Sequence, residues 1–105
     1  MKLFRLIEED VWPLLNVLNE ICHGIHIDDF EKCIGSKKEI VVELMDSIAK
    51  DENKGDVVLC LSDLEVNIVI NSFKCVFKEI EEWEFQTRLG VSRQKAVHIE
   101  KKFMI

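Results

Sequence analysis

Apolar residues recur at helical spacing twice along this chain. Val11, Leu14, Leu15, Leu18, Ile21, Cys22 and Ile25 fall three or four residues apart, and Val66, Val69, Ile70, Phe73, Val76, Phe77 and Ile80 repeat the same seven places after a shift of 55. Each stripe predicts an amphipathic helix. Val41, Leu44, Ile48 and Ala49 map in the same way onto Ala96, Ile99, Phe103 and Met104. A short apolar run precedes each long stripe, at Lys2–Leu6 and Val57–Leu61, and predicts a strand.

Local signals place the boundaries. Ser62-Asp63-Leu64-Glu65 reads as a capping box that opens the second long helix. Pro13 limits the first, which is expected to begin near Asp10. Short helices are expected over residues 28–34 and 83–89, ended by Gly35 and Gly90 in left-handed positions. Ser36-Lys37-Lys38-Glu39 reads as a further capping box.

At the same shift seven positions are identical: Leu6/Leu61, Val11/Val66, Asn16/Asn71, Ile25/Ile80, Phe30/Phe85, Gly35/Gly90 and Val42/Val97. The expectation is a mostly α fold with a small two-stranded sheet, an α+β class. Two strand-helix-helix-helix halves, residues 1–50 and 56–105, would share one core as a single domain, with the polar stretch 51–55 as linker. Each half alone is too small to enclose a core.

Charge narrows the function classes. The chain has 105 residues and a net charge of −6. Residues 88–105 hold Arg88, Arg93, Lys95, Lys101 and Lys102 against Glu100 alone, a balance of +4, so residues 1–87 carry −10. A non-specific nucleic-acid binder needs positive charge to displace counterions; an acidic protein suits a basic partner. No run reaches the length of a membrane span, and the N-terminus lacks the pattern of a signal peptide, so a cytoplasmic location is expected. Cys22, Cys33, Cys60 and Cys75 form no CxxC pair and are expected to be buried free thiols.

Residues 83–103 resemble a helix-turn-helix with a basic second helix, which would suit a DNA-binding regulator. Gln86 stands where such motifs carry a small residue, and the turn repeats in the first half as scaffold. Cys22, His23 and His26 cluster in sequence but match no zinc signature, so no metal or other cofactor is expected. With no nucleophile elbow and no glycine-rich phosphate loop, the chain is not expected to be an enzyme.

The most informative surface feature is the run Glu79, Ile80, Glu81, Glu82, Trp83, Glu84, Phe85. Ile80 and Phe85 repeat core positions, while Trp83 takes the place of polar Asp28. An aromatic ringed by carboxylates suits an interface anchor; the alternative is a Trp83 folded back onto the domain beneath a solvated acidic face. Trp12 is a second aromatic candidate, and Asp28 and Asp29 would extend the acidic face.

With its acidic block and the Trp83 run, the chain resembles small bacterial immunity proteins, such as those encoded beside contact-dependent growth-inhibition toxins. The resemblance implies a non-enzymatic inhibitor that binds a basic toxin, a nuclease domain, one-to-one and occludes its active site. A self-associating module, dimerising through Trp12 or Met104 and Ile105, is the other class that fits.

Overall fold

The computed structural model describes residues 1–50 and 55–104. The order is β1 (Lys2–Leu6), α1 (Glu8–Asn19), a π-helical turn (Glu20–Gly24), α2 (Phe30–Ile34), α3 (Lys38–Ala49), β2 (Val57–Leu61), α4 (Asp63–Glu79), α5 (Glu82–Leu89) and α6 (Arg93–Lys101). The fold is mostly helical with one two-stranded antiparallel sheet, the expected α+β class. Most of the expected linker, residues 51–54, lies outside the described residues.

Both strands fall where the apolar runs predict them. They pair with Phe4 opposite Leu59, Lys2 opposite Leu61 and Leu6 opposite Val57. Alternation sends Phe4, Leu6, Val57, Leu59 and Leu61 inward and leaves Leu3, Arg5, Val58 and Cys60 on an exposed face. One hydrophobic cluster draws on both halves, including Leu14, Leu18, Ile34, Ile48, Phe73, Phe85 and Phe103. Phe4 packs on Phe103 at 5.0 Å between ring centroids, and Phe77 stacks on Phe85 at 5.8 Å. The accessible surface is 6303 Å², close to the roughly 6,100 Å² expected for a folded chain of this mass.

The boundaries differ from the sequence expectation at several points. Helix α1 begins at Glu8, ahead of Asp10, because the Asp10 carboxylate accepts the Ile7 amide (3.3 Å) and Asp56 accepts the Glu8 amide (3.1 Å). These carboxylates satisfy donors that a helix start leaves free. Helix α2 begins at Phe30 because Asp29 is left-handed (φ 53°). The Ser36 capping box is not formed: Lys37 is the N-cap of α3, without a side-chain cap. The α1 stripe finishes in a π turn, where the Ile25 amide bonds to the Glu20 carbonyl at 2.8 Å. The Ser62 box forms as expected, with Ser62 Oγ accepting from the Glu65 amide and Glu65 from the Ser62 amide.

Two burial expectations also change. Ala49, the last member of its stripe, is exposed where α3 ends, whereas the exposure of Met104 is what the dimerisation reading requires. Only Cys22 is fully buried; Cys75 is half-buried, and Cys33 and Cys60 are exposed.

The short helices end on side chains from the opposite half. Asn16 Nδ2 donates to the Leu89 carbonyl, and Asn71 Nδ2 donates to the Ile34 carbonyl, both at 3.0 Å. Gly35 (φ 93°) and Gly90 (φ 79°) follow those carbonyls in the left-handed conformation expected of them.

Candidate functional site: an acidic, tryptophan-centred face

The junction of α4 and α5 is built by two buried anchors. Ile80, extended after the last turn of α4, and Phe85 are 2% and 1% exposed. Because both point inward, the residues between them are carried outward. Glu79, Glu81 and Glu82 are exposed, and Trp83 is 78% exposed, so it does not fold back onto the domain. Glu84 is half-buried and pairs with Arg88 one turn on (3.4 Å). Among the described residues no cation lies within ion-pairing distance of Glu79, Glu81 or Glu82.

Asp28 and Glu79 both border a cleft of about 480 Å³ lined also by His26, Cys33, Asn71, Lys74, Cys75 and Lys78. Asp28 is held by His26 Nε2 at 2.9 Å, and Asp29 beside it is exposed. Asp28, but not Asp29, therefore borders the same cleft as the end of α4. Trp12 is 57% exposed but lies elsewhere, on α1 over Gly90 after the far end of α5.

The basic tail is turned toward the acidic remainder of the chain. Arg88 pairs with Glu20 as well as Glu84. The Glu20 carboxylate folds back over Gly24, where a Cβ would meet it at 2.5 Å. Arg93 donates to the Phe77 carbonyl at 3.0 Å and lies over the rings of Phe77 and Phe85, at 5.1 and 5.5 Å. Lys95 (3.4 Å) and Lys102 both pair with fully buried Asp10. Burial pushes the Asp10 carboxyl up, but the two ammonium groups overcome it and hold the carboxyl below its ordinary value. In sequence these cations read as a basic tail, and nothing local marks Asp10 as their partner. The available signal was Asp10 lying at the position of Glu65, the acid of the capping box.

Glu100 is the other buried acid, and desolvation raises its pKa against weaker pull from Lys74 and Lys101. His23 and His26 are exposed, and among the described residues no group of three potential ligands converges for a metal ion. No helix among them is long and apolar enough to cross a membrane. Neither family models, curated proteins nor solved structures match this chain.

Proposed function

We propose that this chain is a non-enzymatic inhibitor of a basic protein, an immunity protein for a toxin of the nuclease class. It binds one-to-one and covers the active site with carboxylates that stand in for phosphates. The observation that carries the reading is Trp83, standing 78% exposed among Glu79, Glu81 and Glu82. An exposed indole gains most when a partner desolvates it, and the surrounding carboxylates steer and orient a basic surface. The inward engagement of Arg88, Arg93, Lys95 and Lys102 leaves the basic tail poorly suited to DNA.

The test is co-purification with the C-terminal domain of the protein encoded directly upstream. A salt-sensitive one-to-one complex is expected. It should be lost in Trp83→Ala combined with charge reversal at Glu81 and Glu82, while thermal unfolding stays cooperative. An intact complex in that triple variant would remove this face from the proposal.

We also infer that the halves are copies of one strand-helix unit about a pseudo-twofold axis through the Phe4–Leu59 pair. The register supports this, since a shift of 55 exchanges the two strands onto themselves. So do the recurring contacts: Asn16–Leu89 with Asn71–Ile34, and Lys38 over Phe30 (5.5 Å) with Arg93 over Phe85.

One observation favours self-association as a second reading. The outer sheet face exposes Leu3 and Val58 (69% and 53%) beside Cys60. Sedimentation of Leu3→Lys beside the parent chain decides it.

A further inference from the structure

We propose that Cys33 and Cys75 form a dithiol modification site that reacts with small-molecule disulfides of the glutathione class and closes to an intramolecular disulfide. Two structural observations bring the thiols to one cleft. Both line the α2–α4 cleft. Asn71, one turn before Cys75, is bonded to the carbonyl of Ile34, the neighbour of Cys33, so the two helices are pinned at this level. The Cys33 charge also opposes ionisation of Cys75, as two nearby thiols require.

The two sulfurs differ in access, which sets the order of events. Cys33 is exposed and Cys75 half-buried, with burial pushing the Cys75 thiol up. Cys33 thiolate attacks one sulfur of glutathione disulfide; that S–S bond breaks and one glutathione thiolate leaves. Cys75, as thiolate, then attacks the Cys33 sulfur of the mixed disulfide and expels the second glutathione. Two protein thiols become one disulfide, one glutathione disulfide becomes two thiols, and the protein's two protons pass to them. Lys74 and Lys78 on the cleft wall offer cations to the carboxylates of the incoming tripeptide, beside the opposing charges of Asp28 and Glu79 and the imidazole of His26.

The experiment uses the full chain with Cys60→Ser, which removes the exposed thiol of the sheet face. Reduced protein is treated with glutathione disulfide and mapped by peptide mass spectrometry. A monomer carrying a Cys33–Cys75 cross-link is expected, with a higher unfolding temperature than the reduced form. Adding Cys75→Ser should trap one glutathione on Cys33, and adding Cys33→Ser instead should largely abolish reaction. A stable glutathione adduct on Cys33 with Cys75 intact would overturn the proposal, as would disulfide-linked dimers through Cys33.

Discussion

Asn71 reaches from the middle of α4 to the carbonyl of Ile34 at the end of α2, a 3.0 Å bond spanning 37 residues of sequence. It satisfies a terminal helix carbonyl that local backbone leaves open. Asn16 does the same for Leu89. Each asparagine thus couples one half of the chain to the other.

Asn16→Ala and Asn71→Ala should therefore each destabilise the fold by about 1–2 kcal/mol, a lost hydrogen bond plus a buried unpaired carbonyl. The two bonds share no partner, so the double variant should be close to additive. Urea titration of the four proteins checks this. An effect below a few tenths of a kcal/mol at either position would show that water replaces the amide without cost.

Asp10 predicts a pH dependence. Its carboxyl is held below the ordinary 3.8 by Lys102 and Lys95, against the desolvation that raises it. The folded state therefore favours the ionised form. The resulting stability is fully present above the unfolded value and is lost as pH falls below about 3.8 through the folded pKa. Asp10→Asn should flatten this acid limb. At neutral pH Asp10→Ala should cost about 2 kcal/mol, less than a fully buried pair, because both lysines keep about a third or less of their side-chain surface in water. Thermal melts between pH 2.5 and about 7 measure both effects.

The strands, the α4 start and the glycine stops were legible because each rests on local chemistry: alternation, a Ser-x-x-Glu box and a left-handed residue. The Trp83 face was legible for a related reason. Ile80 and Phe85 read as core, so the residues between them had to point outward. What escaped the sequence was long-range pairing. Asp10 stood among Glu8 and Glu9 as one more surface acid, and its cations lie some 90 residues away in α6 and its cap. Asn16 and Asn71 were visible as an identical pair, but only the packing of α1 on α5 and of α4 on α2 gives them a shared task. Cys33 followed the apolar pattern of its neighbours, yet a five-residue helix buries only Ile34.

Glu100 should be replaceable at a profit in stability. Desolvation raises its pKa above the ordinary 4.5, so the fold favours the protonated acid. Stability contributed by that preference is present below 4.5 and lost as pH rises through the folded pKa. Met45, 55 residues earlier in the sequence, is a partly buried apolar residue packed against the core. Glu100→Met should raise stability at pH 7 by about 1 kcal/mol and remove this dependence. A lower midpoint in denaturant would mean that Lys74 and Lys101 compensate the buried charge.

Arg93 separates a structural role for the basic helix from a DNA-binding one. Its guanidinium donates to the Phe77 carbonyl and covers two aromatic rings. Arg93→Ala should then lower stability by about 1–2 kcal/mol through the lost cation–π contact and the bare carbonyl. Arg93→Lys should recover only part of this, because an ammonium lacks the planar face that stacks on the rings. A recognition-helix arginine would behave oppositely, with stability unchanged and DNA affinity reduced. Denaturant titration of both variants, beside a gel shift at low salt, distinguishes the two. DNA binding by the parent chain that disappears in a stably folded Arg93→Ala would displace the inhibitor reading in favour of a regulator.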